Sequence, residues 1–107
     1  MKNPVGPVLR MGDEVDQIIA AIEDDNPDTP IEVIDRGAYV RIQGEDRVLL
    51  TEASLQAYLG SEYRIRSLEN LMSSFAGRAI TSSDSITWES KSIRDREGAA
   101  AAEGAVR

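Results

Sequence analysis

Apolar residues recur along the chain with two periods, and each period marks elements. Val15, Ile18, Ile19 and Ile22 stand at i, i+3, i+4 and i+7, the spacing of one buried helical stripe. Asp13 is placed to cap this helix, and Glu14 and Asp16 complement the positive end of its dipole. Asp24-Asp25-Asn26-Pro27 ends it, because proline drives the preceding residue out of helical geometry. Before the helix, Val5 to Met11 reads as a strand, with Pro4 and Pro7 at or near a sheet edge and Gly12 as its breaker. After it, Ile31 to Asp35 alternates weakly, and Asp35-Arg36-Gly37 supplies a turn. Ala38, Val40 and Ile42 then point one way, while Tyr39, Arg41 and Gln43 point the other, as in a half-buried antiparallel strand. Gly44-Glu45-Asp46 turns the chain again, and Arg47 to Leu50 returns to complete a meander.

Thr51 caps a second helix that directs Leu55, Tyr58 and Leu59 to the core and stops at Gly60. Ser67 caps a short third helix carrying Leu68, Leu71 and Met72. Phe75 to Ile80 and Ser85 to Glu89 form a last strand pair, joined by a turn at Thr81 to Asp84. The order β-α-β-β-β-α-α-β-β predicts an α+β fold. It is a single small domain, residues 1–89, in which an antiparallel β-sheet carries two or three helices on one face. From Ser90 the core-facing period vanishes, and residues 90–107 are expected to form a flexible Ala-rich charged tail.

Composition narrows the chemistry. With 41% hydrophobic residues but one Trp, one Phe and three Tyr, Ile, Val and Leu must fill the core. The net charge is −7, and residues 1–89 carry eight basic against sixteen acidic side chains. Such a domain repels phosphate backbones, which argues against nucleic acid, and favours a partner with a basic docking surface. The chain has no Cys and no His. Disulfides, thiol nucleophiles, iron–sulfur ligation, Cys/His zinc sites and imidazole bases are therefore excluded. Met1 to Arg10 lacks the apolar run of a signal peptide, and no run approaches a membrane span, so a cytoplasmic location is expected.

The remaining motifs have plain readings. Glu23-Asp24-Asp25-Asn26-Pro27-Asp28 lacks the glycine and late glutamate of a calcium loop, so it reads as a solvated acidic turn. Ser73-Ser74 has no base to activate it. Gly6, Gly12, Gly37, Gly44, Gly60 and Gly77 are scattered, as turn residues rather than a phosphate cradle. Sixteen acids leave paired carboxylates conceivable, but none stands in a dry constellation that acid–base catalysis needs. Trp88 is best read as core; for Tyr39 and Arg41, on the polar strand face, surface and interface roles both stay open.

Several stretches carry a resemblance. Val5-Gly6-Pro7-Val8-Leu9-Arg10-Met11-Gly12-Asp13, then Asp25-Asn26-Pro27, Arg36 to Ile42, Leu59-Gly60 and Ser74-Phe75-Ala76-Gly77 follow in order over residues 5–89. In that order and spacing the chain resembles the effector, or coupling, proteins of bacterial multicomponent monooxygenases, nearest to the four-component toluene, alkene and isoprene type. The resemblance implies a regulatory subunit without cofactor or metal that docks on a di-iron hydroxylase. A Rieske ferredoxin and a flavin reductase would serve the same system, and the free effector would be a monomer. Turnover and the access of substrate and oxygen would be tuned allosterically. The hydrocarbon would be an alkene, isoprene included, or a small arene.

The docking surface implied by the family-like stretches comprises Val5, Pro7, Leu9 and Arg10, then Asp25, Asn26 and Asp28, then Asn70, Ser73 and Arg78. Val8, Leu71, Phe75 and Ile80 compete as core residues, Phe75 above all because aromatics are scarce. Two rivals remain: another cofactor-free interaction module, such as an inhibitor or assembly factor, and a small carboxylate-dependent enzyme with a deep pocket.

Overall fold

The computed structural model describes residues 2–90. Ten elements follow in order: β1 (Pro4–Arg10), α1 (Val15–Asp25), β2 (Glu32–Asp35), β3 (Tyr39–Glu45), β4 (Arg47–Thr51), α2 (Glu52–Leu59), α3 (Ile65–Leu71), β5 (Met72–Ala76), β6 (Arg78–Thr81) and β7 (Ser85–Glu89). The α+β class holds. The strands form two antiparallel sheets rather than one, ordered β2-β3-β1-β5 and β4-β7-β6.

Two crossings between the sheets account for the difference from the expected meander and final strand pair. The β2–β3 hairpin forms as expected, with Glu32 opposite Gln43 and Asp35 opposite Val40. The chain then reverses at Asp46, whose φ of 68° an Asp tolerates, and β4 pairs with β7 instead of β3. Asp46 is tied from both sides: its N–H donates to the Asn3 carbonyl (2.9 Å), and its own carbonyl accepts the Ser90 N–H (2.8 Å). The second crossing is Gly77, which splits the expected Phe75–Ile80 strand into β5, paired with β1, and β6, paired with β7. Its φ is +91°, and a Cβ there would lie 2.6 Å from Val5 Cγ1 and 2.7 Å from the Glu89 carbonyl oxygen. Only glycine fits that corner.

β1 is an interior strand, not an edge, although it holds two prolines. Pro4 opens the strand. Pro7 falls in a gap of the ladder toward β3, between Val5 opposite Gly44 and Val8 opposite Arg41, where its missing N–H removes no ladder bond and the register continues unshifted. Gly6, expected in a turn, lies within this strand, and a Cβ on it would sit 2.1 Å from the Ile42 carbonyl oxygen. Gly44 likewise lies within β3.

A single core joins the two sheets and the helices. Val5 and Leu9 of β1, Val40 and Ile42 of β3, Val48 and Leu50 of β4, and Ile86 and Trp88 of β7 meet Ile18 and Ile22 of α1, Leu55 of α2 and Leu68 of α3. Each large aliphatic residue buried here contributes about 1.5–3 kcal/mol of transfer free energy. Trp88 is fully buried, and among the described residues its indole N–H has no hydrogen-bond partner, a cost of roughly 1–3 kcal/mol that its large apolar area offsets.

Local expectations changed at several points. The cap of α1 is Glu14 rather than Asp13, with no side-chain cap bond. Thr51 caps α2 as expected, accepting the Ser54 N–H at 3.2 Å. Ser67 caps nothing, because α3 begins at Ile65, whose N–H donates to the Glu52 carboxylate (3.0 Å) across the fold. Tyr58 is exposed and donates to Asp24 (2.5 Å) instead of entering the core. Gln43 is buried, donating to Glu32 (2.7 Å), while Ala38 is exposed in the turn. Ser90 is buried and donates through Oγ to Asp46 (3.0 Å), so it belongs to the domain; the rest of the expected tail, residues 91–107, lies outside the described residues.

Candidate functional site

The candidate residues separate into three groups. Asp25 and Asn26 close α1 and are bonded inward. The Asp25 carboxylate accepts the Thr51 N–H (2.7 Å), the Thr51 hydroxyl (3.1 Å) and the Ser54 hydroxyl (2.6 Å). The Asn26 amide donates to the carbonyls of Ile22 (2.6 Å) and Leu49 (2.7 Å), and its oxygen accepts the Leu49 N–H (2.9 Å). These two side chains fasten α1 to β4 and α2. Asp28 is exposed in the same turn. The solvated acidic turn of the sequence is therefore half joint and half surface.

Val5 and Leu9 are buried in the core, and Pro7 is buried opposite Phe75, so their side chains are turned away from solvent. Arg10 ends β1 and is exposed. Its guanidinium donates to the carbonyl of Asn70 in the last turn of α3. Ser73 of β5 donates its hydroxyl to the Val8 carbonyl at 3.2 Å. The fold thus brings Arg10, Asn70 and Ser73 together along the β1–β5 seam. Leu71 adjoins them in a shallow depression shared with Arg10, Gly12, Asp13 and Val15. Arg78 stands apart on the second sheet, opposite Glu89, whose other neighbour Arg47 makes a 2.6 Å ion pair with it.

Phe75, expected in the core, is 43% exposed on β5. β5 ends the sheet order, so among the described residues its outer edge pairs with no strand. Ile80 is also exposed, and Leu71 is only partly buried. The signal for Phe75 was local: in Met-Ser-Ser-Phe-Ala no second large apolar residue alternates with it, as a buried strand face would require. Exposed aromatic area and open strand edges are features that binding surfaces commonly use.

Two tyrosines bind the acidic helix side. Tyr63 donates to Glu14 (3.1 Å); burial, aided by this bond and the Glu14 charge, pushes its hydroxyl up to about 12. The hydrogen bond to Asp24 raises Tyr58 as well. Among the described residues, no cluster of three or more Asp or Glu side chains is arranged to hold a metal ion.

Residues 3–89 match the MmoB/DmpM family. The chain is 43% identical over 91 residues to the effector subunit of the alkene monooxygenase system of Xanthobacter autotrophicus (strain ATCC BAA-1158 / Py2), covering 85% of this chain and 90% of that one. Its fold matches a chain in the structure of the phenol hydroxylase–regulatory protein complex, with a TM-score of 0.70, 26% identity, and 80% of this chain and 97% of that one covered. It also matches the soluble methane monooxygenase regulatory protein B, with a TM-score of 0.63, 26% identity, and 82% of this chain and 65% of that one covered.

Proposed function

The chain belongs to the MmoB/DmpM family, and on that premise we propose that it docks on the hydroxylase of its monooxygenase system through the β1–β5 seam. It is a regulatory, non-catalytic subunit of a multicomponent monooxygenase. One observation carries the choice of surface: Arg10, Asn70, Ser73 and the exposed Phe75 lie together at an open sheet edge within the family-matching residues. The regulatory protein of phenol hydroxylase is known in complex with its hydroxylase, which supports a direct contact here.

The mode of action is a shift in population. The effector binds one arrangement of the hydroxylase more tightly and favours it by that difference in affinity alone. Substrate and oxygen access follow the favoured arrangement, while the chemistry stays at the hydroxylase di-iron centre. A Rieske ferredoxin and a flavin reductase deliver the electrons, and the free effector is a monomer in the cytoplasm. No helix among the described residues is long and apolar enough to cross a membrane. Identity to an alkene monooxygenase effector favours an alkene as the system's substrate, held by the hydroxylase.

Reconstitution tests this reading. Added at stoichiometric amounts to its hydroxylase, ferredoxin and reductase, the protein raises product formed per NADH consumed. Unchanged turnover and coupling would overturn it, and binding with loss of turnover would identify an inhibitor.

A further inference from the structure

The outer face of the first sheet shares only Arg10 with the seam contact just described, and its chemistry is distinctive. Antiparallel partners share a face, so the register defines one complete row across all four strands: Ile34, Arg41, Val8 and Ser74. The next row places Arg10 opposite Tyr39. Among the described residues the long helix α1 packs on the opposite face: its buried stripe shares its core with Leu9, Val40 and Ile42, which point to the other side. Tyr39 is 42% exposed, and Arg41 and Arg10 are exposed.

The charge on this face is balanced, unlike the rest of the chain. Residues 11–35 hold nine Asp or Glu and no Lys or Arg, within a chain of net charge −7. On the sheet face, Arg41 has no carboxylate partner among the described residues. Two acids share the face: Glu32, diagonal to Arg41, which accepts from Gln43, and Glu45 at the end of β3, which accepts the Lys2 N–H. Asp35, beside the turn, accepts the Gly37 N–H (2.7 Å). The protein is therefore uneven in charge: an acidic helical side, and a sheet face on which Arg10 and Arg41 stand with Tyr39 against two acids, Glu32 and Glu45.

We infer that this face, centred on Tyr39 and Arg41, is a second part of the contact with the hydroxylase and receives a carboxylate-bearing patch of it. The inference rests on the docking reading above. Continuity selects the occupant. Ser74 on β5 and Arg41 on β3 are two strand spacings apart in one row, about 10 Å. A partner seated on the β5 edge with a standard footprint of roughly 800 Å² per side covers that distance. Charge selects the chemistry: an unpaired guanidinium forks onto carboxylate oxygens, and the tyrosine ring beside it adds rigid contact area at low entropic cost. Nucleic acid is disfavoured by the acidic remainder of the domain. The expectation from net charge alone, a basic docking surface on the partner, is reversed for this face.

The test is titration of the full-length chain and its variants against the hydroxylase of the same system at low and high salt. Arg41→Glu raises Kd by about ten-fold at low salt and flattens its salt dependence; Arg41→Lys gives an intermediate loss. Tyr39→Ala weakens binding about three-fold without altering the salt slope. Glu23→Lys, on the exposed side of α1, stays within about two-fold of wild type. Circular dichroism confirms that each variant is folded, and Arg41→Gln serves if the reversal disturbs folding. Wild-type affinity in Arg41→Glu, Arg41→Gln and Tyr39→Ala, while the wild type binds and stimulates, would overturn this inference and leave the docking reading intact. Absence of any wild-type binding would overturn both. A change in the sedimentation of the free protein with unchanged Kd would assign the face to a second copy of the chain and also overturn it.

Discussion

The turn after α1 and the strand β5 look alike in sequence: both are short and polar, follow a helix, and belong to the family-like stretches. In the folded chain they have opposite fates. Asp25 and Asn26 direct their polar atoms inward, onto Thr51, Ser54, Leu49 and Ile22. β5 uses Ser73 for one bond to Val8 and leaves Ser74 and Phe75 facing solvent. A polar residue whose acceptors and donors are filled by groups elsewhere in its own fold has little left to offer a partner. One in an edge strand has its side chain and its open backbone edge to offer. Similarity to a binding family marks both segments; hydrogen-bond satisfaction separates the joint from the proposed contact.

Substitutions sharpen this contrast. Asn26→Ala removes three part-buried bonds and leaves their backbone partners unsatisfied, so thermal or urea unfolding should register a loss of about 3 kcal/mol. Below its lowered Tm, the variant should bind the hydroxylase as the wild type does. Phe75→Ala should do the reverse: stability changes by less than about 1 kcal/mol because the ring is already half in water, while Kd for the hydroxylase rises about ten-fold by fluorescence titration. If Asn26→Ala weakens docking in the folded state, or Phe75→Ala leaves it untouched, the two regions have been assigned the wrong way round. Ser73→Ala loses one bond and should cost about 0.5–1 kcal/mol, with a modest effect on docking.

The smallest effect is on the helical side and depends on pH. Tyr63 is raised to about 12 in the fold, above its ordinary value near 10. The folded protein therefore holds this proton more tightly than the unfolded chain. Its contribution is fully present below pH 10 and is lost as pH rises through about 12. Tm should fall over that window, and Tyr63→Phe should lessen the fall. An identical profile in the variant would show that the Glu14–Tyr63 contact carries no such linkage.

Local chemistry was legible wherever neighbours in sequence are neighbours in space. The α1 stripe, the Thr51 cap, the Gly60 stop and the β2–β3 hairpin all depend on residues a few positions apart. The sheet partition was not legible, because β4 and β5 choose partners about forty and sixty-five residues away. The Gly77 corner was misread for the same reason: the atoms that demand glycine there belong to Val5 and Glu89. Among the candidate site residues, Arg10, Asn70 and Ser73 came together, whereas Val5 and Leu9 were drawn into the core by the same apolar character that made them conspicuous.

By itself the sequence determined the chemistry available to this protein: a chain without Cys or His, an acidic balance, an Ile/Val/Leu core around one Trp, and its family likeness. These follow from composition and local order, which folding does not alter. Tertiary structure decided how each polar group is used. It buried the Asp25 and Asn26 polar atoms in internal bonds, exposed Phe75 at an open edge, and set Arg41 beside Tyr39 without an ion-pair partner among the described residues. The reason is geometric: a side chain's role depends on which donors, acceptors and charges stand within a few ångströms, and long-range strand pairing sets those neighbours.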